Sequence, residues 1–392
     1  MILTNEQEQA LKIILNKYKN HEKYVTICGY AGVGKSTLAK FAIEALDVSP
    51  EKVAYATYTG KAAEVLRKKG NPNAMTLHKL LYDSIPRQGG GFIRIPKKTL
   101  DYDVVLIDEI SMAPKSMLEI LLKHKVFCIF MGDNFQLPQI DKNEAHDFLQ
   151  HPDIFLSTVM RQAAESEIIQ LTMKIRNGED IPFMHGKEVI VAPKAELVTG
   201  HLTWADIIIC ATNKTRHNMN RQKRELLGYS GVLQTGERII VKRNYWEDCD
   251  EDGNALVNGT VGTVANPYES FVRIPSYVKN DRRDLPLIGC IFTPDGGKSF
   301  DTFEIDKDYL LKEEPCVDWR VSYQLGKLKP KIGDILPKQA TYGYALTCHA
   351  AQGSEFDKVL VIEESFPFDK VEHQRWLYTA ATRAAEKLVL VR

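Results

Sequence analysis

The chain has 392 residues, room for two or three separately cored domains, and its 44% hydrophobic and 26% charged content is ordinary for a soluble globular protein. Lys+Arg 51 balances Asp+Glu 51, which excludes a global basic field, so any nucleic-acid surface has to be a local groove. Cys 7 is an odd count, with no Cys-x-x-Cys and no paired histidines nearby, so reduced thiols are expected and a zinc site is not; with no basic, apolar leader and no run approaching a membrane span, a cytoplasmic protein is expected.

Leu3-Thr-Asn-Glu-Gln7 opens a helical pattern (Ala10, Leu11, Ile14, Leu15, Tyr18) with Thr4 and Gln7 at capping-box spacing. The Gln7 amide, a donor and an acceptor together, is equally suited to read the edge of adenine, and both readings stay open here. Val25-Thr-Ile-Cys-Gly29 then breaks into glycines and starts a helix (Leu38, Phe41, Ala42, Ala45), reading Gly29-x-x-x-x-Gly34-Lys35-Ser36. Glycines let several N–H groups converge where the helix aims its positive end, which makes a phosphate cradle. Lys35 is expected on the β and γ phosphates of a nucleotide and the Ser36 hydroxyl on Mg²⁺, with Gly29, Gly32, Gly34 and Thr37 completing the nucleotide site.

Val53-Ala-Tyr-Ala-Thr57 is an expected strand, after which Thr59, the Gly60 amide and Lys61 stand where a helix begins and suit a phosphodiester; a solvated lysine is the plainer alternative. His78 opens a short helix, where a lone histidine is usually structural. From 82 to 103 a glycine tip followed by alternating residues suggests a projecting hairpin. Val104-Val-Leu-Ile107 runs into Asp108-Glu109. A buried parallel strand ends with such carboxylates at the ligand edge of its sheet, where Asp108 would hold Mg²⁺ through water and Glu109 would polarise the attacking water. Lys125–Met131 is a further apolar strand leading to Gly132-Asp-Asn-Phe-Gln136, whose glutamine can position water or sense the nucleotide; Arg161 offers a guanidinium nearby in sequence, unless it merely faces solvent. A helix from about Glu165 to Asn177 closes at Gly178.

Ala205–Ala211 begins a second set of strands. From about Gly231 to Pro337 the helical period gives way to Gly, Pro and β-rich runs, which reads as a small β module inserted into a second α/β domain, with a solvated acidic hairpin turn at 247–252. Tyr342–Thr347 returns to α/β character through Cys348-His349-Ala-Ala-Gln352-Gly353-Ser354-Glu355, and a helix over 375–384 presents Arg383 before the last strand.

As an ordered set these segments resemble the superfamily 1 helicases, specifically the RecD-like and Dda-like branch. The resemblance spans nearly the whole chain: Gln7, the P-loop, Thr59-Gly-Lys61-Ala-Ala, Thr76-x-His78, Asp108-Glu-Ile-Ser-Met112, Gly132-Asp-x-x-Gln136-Leu-Pro138, Arg161-Gln162, Thr347-x-His349-x-x-Gln352-Gly353 and Tyr378-Thr-Ala-x-Thr382-Arg383-Ala384. It implies an α/β fold of two RecA-like P-loop domains: domain 1A at 1–164 with a short β-hairpin pin at 82–103, domain 2A at 165–230 and 338–392, and an SH3-like β insertion at 231–337. It further implies ATP and Mg²⁺ between those domains, adenine reading by Gln7, a nucleotide contact at Glu355, and Gln136, Arg161 and Arg383 around the γ-phosphate. Thr59, Gly60, Lys61, His78, Asn213, Asn258, Thr347, His349 and Gln352 fall where the family contacts DNA.

The implied activity is an ATP-dependent 5′ to 3′ DNA helicase acting as a monomer on single strands and duplex junctions, with replication or recombination proteins as possible partners. The alternatives are a translocase that strips proteins without efficient unwinding and, more distantly, a small-molecule P-loop kinase, against which the second arginine and the 347–352 motif speak. Thr57-Tyr-Thr59 replaces the Ala-Pro-Thr often found in the family and can supply a stacking ring.

Overall fold

The computed structural model describes residues 3–68, 70–71, 73–86, 92–139, 141–160, 164–249, 255–274, 284–316, 337–367 and 369–392. The chain divides into two compact units, one of Met1–Tyr82, Pro96–Asn213 and Thr347–Arg392, the other of Asp83–Ile95 and Lys214–Leu346.

The first unit contains an all-parallel sheet in which Met75–Thr76, Val53–Thr57, Val104–Ile107, Phe127–Gly132, Tyr24–Gly29 and Ile154–Leu156 lie side by side in that order. Its central strands are continuous apolar runs because both faces are covered, and the period of two sorts their side chains. Val25, Ile27, Leu106 and Ile129 pack on one side with Ile14, Leu38 and Ala42 from the helices Asn5–Lys19 and Lys35–Leu46. Cys28, Ala56, Ile107 and Phe130 pack on the other with Leu77, Leu81 and Leu118. Ala45, expected on the buried face of the second helix, is exposed, and Ala39 and Leu46 are buried instead.

A second sheet in the same unit places Ile207–Cys210, Phe356–Ile362, Ala384–Val391 and Val189–Ala192 in parallel, with Met184–His185 antiparallel at one edge. Its other edge strand, Ala345–Thr347, is where the chain passes from the second unit back to the first. The helix expected from Glu165 runs Glu167–Asn177 and ends on Gly178 at φ 70°, a left-handed turn that a residue without Cβ adopts freely.

The second unit is built on a five-stranded antiparallel sheet ordered Phe300–Asp306, Asp284–Pro294, Val261–Arg273, Arg238–Val241 and Ala340–Tyr342. The β-rich region therefore reaches beyond 337, because Ile239–Val241 takes Ala340–Tyr342 as its partner strand. Of the acidic segment, 250–254 lie outside the described residues, while Asp248 pairs with Lys338 at 3.2 Å. Tyr82–Pro86 and Phe92–Pro96 form a two-stranded sheet, and the glycine tip at 87–91 between them lies outside the described residues. Cys28, Cys128, Cys210, Cys290 and Cys348 are free and buried, and Cys316 is free and partly exposed.

The second unit is pinned by a buried ion pair. Arg224 Nε and Nη2 reach the two Glu237 oxygens at 2.5 and 3.0 Å, Glu237 also accepts the Gln234 N–H at 2.8 Å, and the guanidinium lies 4.0 Å over the Tyr342 ring. Removing one partner of such a pair strands the other charge. Glu237→Ala is therefore expected to cost about 3–5 kcal/mol, and the pair Arg224→Met with Glu237→Leu should recover most of it. Thermal unfolding checks this; a Glu237→Ala loss below about 1 kcal/mol would mean that the pair behaves as an exposed one.

Candidate nucleotide site

The glycine-rich loop follows the central strand Tyr24–Gly29 and takes the geometry that its sequence demands. Gly32 and Gly34 have φ of 77° and 79°. A Cβ on Gly34 would lie 2.6 Å from Gln7 Nε2, and one on Gly29 would lie 2.8 Å from Leu156 O and from Val33 Cγ2. Lys35 Nζ donates to Gly29 O and Tyr30 O, each at 2.8 Å, so its charge is held over the loop that it serves. Ser36 is exposed at the first turn of the helix.

Gln7 closes the capping box. It accepts the Thr4 N–H at 3.1 Å, its own N–H goes to Thr4 Oγ1 at 3.2 Å, and its Nε2 donates to Val33 O at 3.3 Å. The side chain is buried, so this glutamine braces the phosphate loop from behind.

Asp108 and Glu109 follow the strand Val104–Ile107. Asp108 Oδ1 accepts the Glu109 N–H at 2.9 Å, and Glu109 sits at φ 54°, a strained left-handed conformation for a residue with a side chain. Burial raises the Glu109 carboxyl above its ordinary value. Arg383 is the strongest of the charges pulling it back, Asp108 pushes it further up, and Lys35 and Asp133 act as weaker opposites. Lys35 and Glu109, on the first sheet, and Arg383, between the last helix and strand, therefore share one electrostatic neighbourhood. Arg383 is buried, with Nε on Thr379 O at 3.1 Å, Nη1 on Ser354 O at 3.3 Å and Nη2 on Thr382 Oγ1 at 3.1 Å.

The loop after Phe127–Gly132 binds the last helix through several bonds. Leu137 N donates to Thr379 Oγ1 at 2.9 Å, and Leu137 O accepts Gln352 Nε2 at 2.8 Å. Gln352, expected on DNA, is buried with its amide committed to this loop. Among the described residues, buried side-chain atoms without a hydrogen-bond partner include Ser111 Oγ, Asn134 Oδ1, Gln136 Oε1 and Arg176 Nη1, all on segments at this edge. Unpaired polar atoms are costly when buried, and those of Ser111, Asn134 and Gln136, which follow the ends of two neighbouring strands, fit a site shaped for a polar, charged ligand. Arg161 lies outside the described residues. Arg176, which the sequence reading passed over as a helix residue, has its guanidinium 3.3 Å from the Tyr30 ring centroid and 3.7 Å from Asp133 Oδ1.

Most of the expected DNA residues share a topological position. Thr59, Gly60 and Lys61, His78, Asn213, and Thr347 and His349 all stand where a strand gives way to a helix. Thr59 Oγ1 accepts the Ala62 N–H at 3.2 Å and so caps its helix, while Lys61 pairs with Glu64 at 3.2 Å. His78 lies between Tyr58 and Tyr82, 6.0 and 6.1 Å away, in a row of rings tilted by 38° and 31°. Burial lowers the His349 pKa, which keeps the ring neutral. Gly353, at φ 72°, approaches so closely that an added Cβ would lie 3.0 Å from Thr59 Oγ1 and 3.1 Å from Ala62 Cβ. Glu355 is exposed. Asn258 belongs to the second unit, exposed in a turn, with its N–H on Asn244 Oδ1 at 2.8 Å.

Residues 2–189 match an AAA domain model and 342–391 match the UvrD-like helicase C-terminal domain. The ATP-dependent RecD2 DNA helicase of Deinococcus radiodurans is 32% identical over 395 residues, covering 97% of this chain and 48% of that protein. The ATP-dependent DNA helicase dda of Enterobacteria phage T4 is 31% identical over 191 residues, 45% of this chain and 43% of that protein. The chain belongs to helicase superfamily 1. It spans about half the length of those curated relatives. The fold also appears in solved structures: a structure of two coordinating Pif1 helicases at forked double-stranded DNA matches at TM-score 0.55 with 21% identity, covering 100% of this chain and 92% of that one. A Bacteroides Pif1 in complex with ADP-AlF3 and single-stranded DNA matches at 0.54 with 19% identity, with the same coverage. At those identities the likeness is one of fold, an α/β architecture with parallel sheets.

Gly34→Ala is expected to weaken nucleotide binding at least about tenfold, since a positive φ and a Cβ pressed on Gln7 together cost more than about 1.4 kcal/mol. Calorimetric titration with a non-hydrolysable ATP analogue is the measurement, and wild-type affinity would show that the loop does not need its left-handed turn.

Proposed function

We propose that this chain is an ATP-driven motor that moves 5′ to 3′ along single-stranded DNA and opens duplex ahead of it. The observation that carries the reading is that the last helix is bonded to the loops of the first sheet, Tyr378 to Ala31 and Thr379 to Leu137, which puts the Arg383 guanidinium in the electrostatic neighbourhood of Glu109. A hydrolytic site assembled from two sheets is active only when both are in place, which couples chemistry to closure.

In this reading 1–164 is one RecA-like domain, and 165–230 with the chain after Tyr342 is the other, since Ala340–Tyr342 belongs to the β unit. Lys35 and the loop amides hold the phosphates, Gln7 lies behind them toward the base, and Ser36 with Asp108 would hold Mg²⁺, which when bound supplies charge neutralisation between phosphate oxygens. Glu109, its affinity for protons raised, takes a proton from the attacking water, Gln136 orients that water through its unpaired Oε1, and Arg383 stabilises the charge that develops. Arg161 joins them as a second guanidinium, and Glu355 contacts the nucleotide from the exposed end of its motif. Helix-opening amides at Thr59–Lys61, His78, Asn213 and Thr347–His349 form a track for phosphodiesters, and the Tyr58, His78 and Tyr82 rings offer stacking surface. Gln352 acts at the join between DNA track and nucleotide loop. The paired strands Tyr82–Pro86 and Phe92–Pro96 serve as the strand-separating pin, and the five-stranded sheet, with Asn258 on its turn, as the SH3-like module.

Duplexes of DNA and of RNA carrying a 5′ or a 3′ single-stranded tail test the proposal, with unwinding expected only of 5′-tailed DNA. Opening of 3′-tailed duplex alone would reverse the polarity, and ATP-driven removal of a bound protein without duplex opening would make the chain a translocase.

Glu109→Gln should retain ATP binding and lose a factor of about 10² or more in turnover. Because the base acts unprotonated and its pKa lies above the ordinary carboxylate value, turnover should fall on acidification already above that value and plateau toward neutral pH. A wild-type profile flat down to ordinary carboxylate pH would move the base elsewhere.

A further inference from the structure

Tyr378 has a position that the motif reading does not use. It is fully buried in the helix Lys370–Ala381, and its single hydroxyl joins two loops of the other sheet. The oxygen accepts the N–H of Ala31, in the middle of the phosphate loop, at 3.2 Å, and the proton goes to Asp133 Oδ2 at 2.5 Å. Asp133 is buried too. Its other oxygen accepts the Phe135 N–H at 2.9 Å and faces Arg176 Nη1 at 3.7 Å. Arg176 in turn lies over the ring of Tyr30, the residue before Ala31. One hydroxyl therefore closes a ring of contacts through the phosphate loop, the loop after Phe127–Gly132 (here the sensor loop), the helix Glu167–Asn177 and the last helix.

The Ala31 amide belongs to the set that a glycine-rich loop turns toward phosphate oxygens. A phosphate oxygen is ionised, and a hydrogen bond to it is roughly twice as strong as one to a neutral phenol. We propose that Tyr378 is a latch: its hydroxyl holds the Ala31 N–H until a phosphate oxygen of the nucleotide displaces it, and the release frees Asp133 and the sensor loop to rearrange. This rests on the nucleotide site proposed above and adds its regulation. Tyr378 is here a positioning residue. Its raised pKa, caused first by burial and then by the Asp133 carboxylate, keeps it a neutral hydroxyl able to give its proton to Asp133 while accepting from Ala31. Nucleotide binding must break the Ala31–Tyr378 bond, so the latched protein binds more weakly than one without it. The same bond joins the phosphate loop to the helix that precedes Arg383, so its release allows the guanidinium and the nucleotide to be set in place together.

Tyr378→Phe keeps the ring and removes the hydroxyl. Losing a net hydrogen bond of about 0.5–1.5 kcal/mol from the unliganded state should tighten binding of a non-hydrolysable ATP analogue about two- to twelvefold. DNA-independent turnover should rise toward the DNA-stimulated rate, so the stimulation ratio falls. Asp133→Asn, which weakens the hydroxyl's second bond, is an independent arm and should shift affinity in the same direction; the double variant should bind no tighter than Tyr378→Phe alone. A merely structural tyrosine would lower the unfolding temperature of free and analogue-saturated protein equally, whereas the latch predicts a larger analogue-induced rise in Tyr378→Phe than in wild type. Unchanged or weaker analogue binding in Tyr378→Phe, with wild-type binding that Lys35→Ala abolishes, would overturn the latch and leave the nucleotide site standing. Wild-type binding unaffected by Lys35→Ala would overturn the site and the latch together.

Discussion

A carboxyl group held in a poorly hydrated place between two cations is the constraint on which the rest of this structure depends. In the proposed mechanism Glu109 is the base, so it has to give up its proton readily and still hold one strongly enough to take it from water. Burial raises its pKa, and the guanidinium of Arg383 and the ammonium of Lys35 offset part of that rise. Those charges come from the ends of a long chain, so in that mechanism both sheets have to be in place before the residue can act. The backbone at Glu109 is left-handed, so the chain turns sharply two residues after the strand Val104–Ile107 stops.

The supporting bonds are correspondingly long-range. Leu137 contributes both its N–H and its carbonyl to the segment that carries Gln352 and Thr379, and Tyr378 reaches back to Ala31. Each replaces a protein–water bond by a protein–protein bond of modest net value, but each would leave a buried donor or acceptor unpaired if broken alone. Polar backbone and hydroxyl groups thus join the two sheets, beside the Phe135–Tyr378 ring contact.

Much of this was legible in the sequence. The strands Val53–Thr57 and Val104–Ile107 stand where their apolar runs end, the capping box of Thr4 and Gln7 is formed, and the glycine closing the Glu167–Asn177 helix takes the expected left-handed turn. These depend on neighbours within a few positions, which periodicity and capping rules report. What stayed hidden depends on residues hundreds of positions apart. Nothing in a helix pattern says that Arg176 lies against Tyr30, or that the amide of Gln352 is taken by Leu137. The extension of the β-rich unit to Ala340–Tyr342 was likewise invisible, since a three-residue strand carries too little pattern to name its partner. Gln7 shows the intermediate case: its cap was readable, but its bond to Val33 required the folded loop.

Gly353 carries an implication for heredity. An added Cβ would press on Thr59 and Ala62 by a few tenths of an ångström, so a side chain gained on one segment is best met by one lost on the other. The two positions should therefore drift together among descendants of this sequence, small facing small, and a chimera that joins the first half of one homologue to the second half of another should fail at this spot before it fails at the nucleotide.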